Sequence, residues 1–174
     1  MKRTWKFWQL ALATVFITLQ AMAVQAESVN VGDTAPALEL PLLAEPGEAL
    51  SLQALRGKVV YLDFWASWCG PCRLSFPQLE ALRQELGPRG FEVVAVNVDE
   101  FEEDAIQFSE DVPVSYPLLR DEAATTPALY GILGMPTGFL LDREGSVRLV
   151  HQGYRRSDGE KLRAEILHLL EGGE

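Results

Sequence analysis

Residues 58–86 read KVVYLDFWASWCGPCRLSFPQLEALRQEL, and this stretch decides the fold. Its first part, residues 58–65, is a run of β-branched and aromatic residues long enough to predict a buried strand. Its second part, residues 70–86, places Leu79, Leu82 and Leu86 on one helical face and predicts an amphipathic helix. The only two cysteines of the chain, Cys69 and Cys72, lie where the predicted strand gives way to the predicted helix.

The position of the two cysteines suits reversible disulfide chemistry. A helix N-terminus presents unpaired N–H groups and the positive end of the helix dipole, so we expect a thiolate at Cys69 to be stabilised there and its pKa to be lowered. The two intervening residues, Gly70 and Pro71, let Cys72 come round one helical turn to within disulfide distance of Cys69. Pro71 falls in the first turn, where its missing N–H leaves no acceptor unpaired. The spacing therefore predicts a pair that forms and breaks a disulfide by thiolate attack.

Three other interpretations of the cysteine pair remain open from the residues alone. A structural disulfide across so short a loop gains little loop-closure entropy, and it would be the only bridge in the chain. A metal site would need His151 and His168 as further ligands, but these histidines show no ligand spacing and are more simply interpreted as solvent-exposed or packing residues. Inert core cysteines are disfavoured by the Trp-Cys-Gly-Pro-Cys context. We therefore favour redox chemistry and predict no metal ligand.

Periodicity outside this stretch predicts the remaining elements. The pattern predicts strands over residues 91–98, 137–141 and 146–152, a short extended piece over 116–119, and helices over 101–110, 123–130 and 157–170. Short alternating pieces between turn signals in residues 30–57 fit a β-hairpin. Ser157, with Glu160 three residues later, predicts a capping box at the start of the last helix. This order of elements predicts an α/β protein with a mixed sheet and helices on both faces.

The first 26 residues predict a targeting segment. This segment begins with three positive charges, continues as a mostly apolar run over residues 10–24 and ends in Val-Gln-Ala, a small-residue cleavage pattern. The apolar run is shorter than the roughly 20 residues that a membrane span requires. We expect residues 1–26 to be a signal peptide, with an uncleaved anchor as the alternative, and residues 27–174 to form one domain. Both alternatives predict a periplasmic location.

Length, composition and charge disfavour several classes of protein. A chain of 174 residues with 48% hydrophobic and 23% charged residues is typical of a single globular domain rather than of a disordered chain or a coiled coil. Acidic residues outnumber basic residues by 25 to 15, which gives a formal net charge of −10. Nucleic-acid binding needs the opposite excess, so no nucleic-acid partner is expected. The same charge disfavours binding to anionic membrane surfaces.

Residues 63–73, DFWASWCGPCR, resemble the active-site segment of thioredoxin. The wider chain, over about residues 30–170, resembles the exported TlpA/ResA-like branch of the thioredoxin superfamily. The further motifs that carry this resemblance are GDTAP at 32–36, LRGK at 55–58, YPLLRD at 116–121 and GMPTGFLLDREG at 134–145. The resemblance implies a thioredoxin-like fold with a mixed central sheet, helices on both faces, an N-terminal β-hairpin and a central insert around residues 116–121.

The resemblance also implies roles for individual residues. Cys69 is the attacking thiol and Cys72 the resolving thiol. Pro136 is the cis-proline that faces the cysteine pair, and it leaves the backbone of Met135 free to pair with a bound peptide. Asp63 matches the buried acid behind the cysteines, where a carboxylate takes the proton from Cys72.

Substrate-binding residues and two departures from the family pattern complete the predicted site. Trp68, Gly70 and Pro71 flank the pair, and together with Met135 they are the predicted substrate-binding residues. Many members carry a glutamate at the position of Ser75, and in cytochrome c maturation members that acid tunes the cysteines. Many members also carry asparagine where this chain has an aspartate at position 63, which makes the site more like that of thioredoxin itself.

The predicted function is that of a periplasmic thiol:disulfide oxidoreductase that reduces protein disulfides through a mixed-disulfide intermediate. Expected partners are proteins that contain disulfides or thiols and a membrane electron donor; we expect a monomer and no cofactor. The alternatives are a cytochrome c maturation thiol reductase, a copper-site assembly or carrier protein, and a peroxiredoxin-like antioxidant. A copper carrier would space its cysteines by three residues, and a peroxiredoxin would place Pro-x-x-x-Thr-x-x before the attacking cysteine. Neither pattern occurs around Cys69.

Overall fold

The computed structural model describes residues 28–45 and 47–173, so the predicted signal segment lies outside the described residues. Over the described ranges the strands are β1 (Glu39–Pro41), β2 (Ala49–Ser51), β3 (Val59–Trp65), β4 (Phe91–Asn97), β5 (Leu118–Arg120), β6 (Thr137–Leu141) and β7 (Val147–Gln152). The α-helices are α1 (Cys72–Leu86), α2 (Glu102–Asp111), α3 (Thr126–Tyr130) and α4 (Asp158–Leu170). Short 3₁₀ helices span Leu52–Leu55 and Gly87–Arg89. The predicted strands and helices are present, with small differences at their ends.

A mixed five-stranded sheet forms the centre of the molecule, in the order β5-β4-β3-β6-β7. Strands β3, β4 and β5 are parallel, whereas β6 runs antiparallel to β3 and β7 antiparallel to β6. Every residue of β3 and β4 is buried, which agrees with their continuous apolar runs. The parallel strands β3 and β4 therefore end at the same edge of the sheet, the edge that leads into the cysteine segment.

The side chains of β3 alternate between two apolar cores, one on each face of the sheet. On one face, Tyr61 and Trp65 pack with residues of α1, α2 and α4. On the other face, Leu62 and Phe64 pack against the N-terminal segment, the first 3₁₀ helix and Tyr130 of α3. The prediction of helices on both faces is confirmed, although the second face carries only the short α3 and one 3₁₀ helix.

The N-terminal hairpin and the central insert are both present. Strands β1 and β2 pair antiparallel as a separate two-stranded sheet, and Leu42 bridges from this hairpin to Leu119 of β5. The insert around residues 116–121 supplies β5 at the edge of the main sheet. Helix α3, which follows it, ends at Gly131 in a left-handed conformation that glycine adopts without strain. The fold therefore has the architecture that the TlpA/ResA-like resemblance implies.

The predicted capping box at the start of the last helix is wrong. Helix α4 begins at Asp158, and the Ser157 hydroxyl caps no backbone N–H. Ser157 itself has helical dihedral angles, φ −77° and ψ −10°, so its side chain is not in the extended arrangement in which an N-cap serine faces the free N–H groups. The Asp158 carboxylate accepts a hydrogen bond from the N–H of Arg155 instead.

Candidate active site

Cys69 and Cys72 are joined by a disulfide at the end of β3, with their Cα atoms 5.3 Å apart. A tight turn links β3 to α1, in which the N–H of Cys69 donates to the carbonyl of Ala66. The N–H of Cys72 points at Sγ of Cys69, with a nitrogen-to-sulfur distance of 3.2 Å. Helix α1 begins at Cys72 rather than at Gly70, because the preceding residues form 3₁₀-type hydrogen bonds. Even so, the sulfur of Cys69 lies at the helix N-terminus, where an N–H donor and the helix dipole stabilise a thiolate.

The residues around the disulfide divide into buried and exposed groups. Trp65 is buried against Phe76 and Phe108, with ring centroids 4.9 and 4.8 Å away. Trp68, in contrast, has 69% of its surface exposed, directly before the cysteines. Both cysteines are buried, and the small accessible part of the pair belongs to Cys69, which is 3% exposed, whereas Cys72 is fully buried.

The predicted cis-proline loop lies beside the cysteine segment. The Met135–Pro136 peptide bond is cis, and the carbonyl of Pro136 accepts a hydrogen bond from Gly153. Thr137, the next residue, pairs with Phe64 of β3, so the loop ends next to the strand that leads into Cys69. Met135 is partly buried and packs against both cores.

Asp63 is a buried carboxylic acid beneath the cysteine pair. Since side chains alternate along a strand, Asp63 shares its face of β3 with Tyr61 and Trp65, and the core on that face includes Cys69 and Cys72. Only 1% of Asp63 is exposed, and its Oδ2 atom has no hydrogen-bond partner among the described residues. Burial therefore raises the pKa of this carboxyl group well above its ordinary value.

A second buried acid, Asp99, holds the turn that presents Trp68 and Cys69. Its carboxylate accepts hydrogen bonds from the N–H and hydroxyl of Ser67 and from the side-chain amide of Asn97. None of these three residues is among the predicted site residues. A signal was present in the sequence, because Asn97 ends a buried strand and Asp99 follows it, and parallel strands end at one edge of the sheet.

We expect Asp99→Ala to destabilise the protein by about 3 kcal/mol, because it removes a buried carboxylate that accepts several hydrogen bonds. The turn before Cys69 loses its anchor, so alkylation of reduced Cys69 by iodoacetamide also changes rate. Urea denaturation and timed alkylation measure the two effects. Asp104→Ala is the matched control, since Asp104 is exposed on the first turn of α2 and its loss costs at most about 1 kcal/mol. Equal stability of the two variants would contradict the role given to Asp99.

Ser75 replaces the acid that many relatives place in α1. It is fully buried, and its hydroxyl donates to the carbonyl of Cys72 at 3.2 Å. The position therefore offers the cysteine pair no carboxylate.

A sequence model of the redoxin family matches residues 30–166. The chain belongs to this family. It is 33% identical over 146 residues to the thiol-disulfide oxidoreductase ResA of Oceanobacillus iheyensis, covering 83% of this chain and 76% of that protein. It is 34% identical over 137 residues to the thioredoxin-like protein YneN of Bacillus subtilis, covering 77% and 78%. Its fold is similar to that of a structure assigned to a thiol:disulfide interchange protein DsbE from Chlorobium tepidum, with 46% identity, a TM-score of 0.78, and coverage of 82% and 99%.

These similarities confirm a TlpA/ResA-like member of the thioredoxin superfamily, and the protein is a thiol:disulfide oxidoreductase. Its substrates are therefore thiols or disulfides. Among residues 28–45 and 47–173, no group of three or more His, Cys, Asp or Glu side chains is arranged to hold a metal ion. Within those same ranges, no helix has the length and apolar character needed to cross a membrane.

Proposed function

We propose that the protein reduces disulfides of other proteins, with Cys69 as the attacking thiol and Cys72 as the resolving thiol. The observation that carries this proposal is the Cys69–Cys72 disulfide at the N-terminus of α1, with the buried acid Asp63 on the same face of the sheet. A buried carboxylic acid beside a redox pair is able to move a proton without contact with bulk water.

The reaction begins with the reduced pair. The Cys69 thiolate attacks one sulfur of the substrate disulfide, which forms a mixed disulfide and releases the first substrate thiolate. The Cys72 thiol then loses its proton and attacks Sγ of Cys69, which releases the second substrate thiolate and leaves the Cys69–Cys72 disulfide. The substrate gains two electrons and the cysteine pair loses two. The N–H of Cys72, which lies 3.2 Å from Sγ of Cys69, stabilises negative charge on that sulfur.

Asp63 is the base in the second step. Cys72 is fully buried, so its proton needs an acceptor inside the protein. Burial raises the pKa of the Asp63 carboxyl group, which makes it a stronger base toward a thiol than an exposed carboxylate would be. Because Asp63 is buried with Cys72, it is able to accept the Cys72 proton without bulk water when Cys72 attacks.

The surface around the pair suits an extended polypeptide as substrate. Trp68 stands exposed beside Cys69, and Leu133 of the cis-proline loop is 93% exposed. These apolar side chains, with Gly70, Pro71 and the backbone of Met135, form the substrate-binding surface. A protein chain covers such a surface better than a small thiol does.

Location and electron supply follow from the predicted targeting segment. Residues 1–26 support export to the periplasm, either with cleavage or with retention as an anchor, and residues 27–174 form the working domain. Since that compartment is oxidising, continued reduction requires a membrane electron donor for the Cys69–Cys72 pair. The two-residue spacing of the cysteines and the absence of an acid at Ser75 favour a general protein-disulfide reductase over the copper-carrier, peroxiredoxin and cytochrome c maturation alternatives.

The reduction potential of the pair tests the proposed direction of electron flow. Equilibration with glutathione, followed by mass spectrometry of alkylated protein, measures this potential. We expect a value below about −200 mV, in the range of reducing members of the superfamily, and a Cys69 pKa near 7 by ultraviolet absorbance of the thiolate. A potential near −120 mV, with a Cys69 pKa several units lower, would instead identify an oxidase.

A further inference from the structure

Asp63, Gly138 and His151 form one row across three neighbouring strands of the sheet. Asp63 of β3 pairs with Gly138 of β6, and Gly138 pairs with His151 of β7. Directly paired residues of antiparallel strands point to the same face, so Asp63 and His151 face the same core, the one that contains the cysteines. Gly138 lies between them in the row and has no side chain.

The hydroxyl of Tyr61 occupies the space above Gly138. A Cβ atom placed on Gly138 would lie 2.1 Å from the Tyr61 oxygen, so no larger residue fits there. Opposite Cβ positions in a sheet are about 5 Å apart, and Gly138 is the residue paired with Asp63, so the Tyr61 hydroxyl lies on the Asp63 row of the sheet. The Oδ2 atom of Asp63 has no hydrogen-bond partner among the described residues, and proton transfer between the two groups requires a rotation of the Asp63 side chain toward this hydroxyl. The same hydroxyl lies 3.3 Å from Nδ1 of His151.

The chain of polar groups continues from Tyr61 to two partly exposed side chains, His151 and Asp158. Nε2 of His151 lies 3.2 Å from Oδ2 of Asp158, and 20% and 15% of these two side chains are exposed, whereas Asp63 is buried. An Nε2–H that donates to Asp158 leaves Nδ1 as the acceptor for the Tyr61 hydroxyl. Partial desolvation raises the pKa of Asp158, but hydrogen bonds from the N–H of Arg155 and from His151 outweigh it, so the pKa is lowered and the outer carboxylate stays ionised.

Titratable side chains from several neighbouring elements face this series of polar groups. Tyr61 and Asp63 belong to β3, Asp158 and Lys161 to α4. Two further tyrosines complete the surroundings. Tyr154, which follows β7, has its ring 5.4 Å from that of His151, and Tyr116, which precedes β5, is buried near Asp63. No lysine or arginine forms an ion pair with Asp63 among the described residues, and its Oδ2 atom has no hydrogen-bond partner there.

We propose that Tyr61, His151 and Asp158 form a proton relay that connects Asp63 to the surface during release of the mixed disulfide. This proposal rests on the role of Asp63 given above. When Cys72 attacks, its thiol proton passes to one oxygen of Asp63, and the proton on the other oxygen passes to the Tyr61 hydroxyl. Tyr61 gives its own proton to Nδ1 of His151, and His151 gives its Nε2 proton to Asp158, which releases it to water. One proton leaves Cys72 and one reaches solvent, while Asp63 never carries a full buried charge.

The test separates the two chemical steps in a single turnover. The reduced protein is mixed with a disulfide-bonded fluorescent peptide, and acid-quenched samples give the rates of mixed-disulfide formation and of its release. We expect Tyr61→Phe and His151→Gln each to slow release about tenfold, less than the loss of a direct general base, and to leave the attack by Cys69 unchanged. We also expect both variants to alter the pH dependence and the solvent deuterium isotope effect of release.

Tyr130→Phe is the matched control. Tyr130 is equally buried and hydrogen-bonded, but its hydroxyl donates to Pro36 on the opposite face of the sheet. A similar slowing in this control, or equal slowing of attack and release in Tyr61→Phe, would show a general effect on folding and overturn the relay.

A double-variant cycle with Asp63→Asn distinguishes the relay from the proposed function. In the Asp63→Asn background, we expect Tyr61→Phe to add no further slowing of release, because both substitutions break one path. If Asp63→Asn slows release and Tyr61→Phe does not, the relay is wrong and the role of Asp63 stands. If Asp63→Asn itself leaves release unchanged, the proposed base is wrong and the relay falls with it.

Discussion

The Cys69→Ser variant is expected to lose all catalysed reduction of insulin, down to the rate of the buffer with dithiothreitol alone. Cys69 follows the exposed Trp68 and keeps a small exposed area that Cys72 lacks, and its sulfur accepts the N–H of Cys72; these features support Cys69 as the attacking thiol. A serine hydroxyl at this position is not a nucleophile toward sulfur. Turbidity from precipitating insulin chains measures the rate.

The Cys72→Ser variant is expected to behave differently, by trapping its substrate. Cys69 still attacks, but no second thiol resolves the mixed disulfide, so a covalent complex accumulates. The chain has no other cysteine, so each variant retains one thiol and the adduct is unambiguous on a non-reducing gel. Turnover by Cys69→Ser, or trapping by Cys69→Ser rather than by Cys72→Ser, would reverse the assigned roles.

The Asp63→Asn variant is expected to slow release of the mixed disulfide about a hundredfold while leaving the attack by Cys69 intact. An amide has almost the same shape as the carboxyl group but accepts no proton, and removal of a general base typically lowers a rate by 10²–10⁴-fold. The single-turnover assay described above measures both steps. Equal rates of mixed-disulfide release in the variant and the parent would show that Asp63 is not the base.

The same substitution has a second consequence, for stability as a function of pH. Burial raises the pKa of Asp63 in the folded state above its unfolded value of about 3.9, so the folded state holds the proton more tightly. The stability that this protonation contributes is present below about pH 4 and is lost as pH rises through the folded pKa. The free energy of unfolding of Asp63→Asn, minus that of the parent, is therefore expected to increase with pH, by up to about 1.4 kcal/mol per pH unit within this window.

Asp142→Asn is the control for this pH effect, because folding lowers the pKa of Asp142 whereas it raises the pKa of Asp63. Partial desolvation raises the pKa of Asp142, but hydrogen bonds from Ser146, Arg148 and Glu144 outweigh it and lower the pKa. Its stabilising contribution is present above the unfolded pKa and is lost as pH falls. Urea denaturation of both variants from pH 3 to pH 9 is expected to give slopes of opposite direction. A difference for Asp63→Asn that does not vary with pH would mean that this acid is not protonated preferentially in the folded state.

The strongest sequence signals concern local structure and the attacking chemistry. The apolar run over residues 58–65, followed by helical periodicity, predicts the strand and helix that meet at Cys69, because a buried strand needs continuous apolar residues and a helix needs a 3.6-residue period. The two-residue spacing predicts that Cys72 lies within disulfide reach of Cys69, and the family resemblance implies the cis peptide bond at Met135–Pro136; the structure has both. The helix start and the capping box at Ser157 are less accurate, because a cap depends on one residue's dihedral angles, which the pattern of residue types does not determine.

The polar groups that surround the site depend on pairing between distant strands. Asp99 holds Ser67 across 32 positions, and Tyr61 meets His151 across 90. The periodicity of residues within one segment does not predict contacts between distant strands. For this reason His151 is interpreted from the sequence as an ordinary packing or surface residue. The sheet order and register bring these side chains together, and Gly138 becomes meaningful only when the ring of Tyr61 is seen above it.

The sequence by itself therefore determined the family, the fold class and the two redox cysteines, since these depend on residue types at short, fixed spacings. The family resemblance already implied that Asp63 is buried; only the tertiary structure decided that its Oδ2 atom has no hydrogen-bond partner among the described residues and that Tyr61, His151 and Asp158 are in contact next to its row of the sheet. The physical reason is that burial and proton transfer depend on distances of a few ångströms between side chains, and those distances exist only after β3, β6 and β7 have paired.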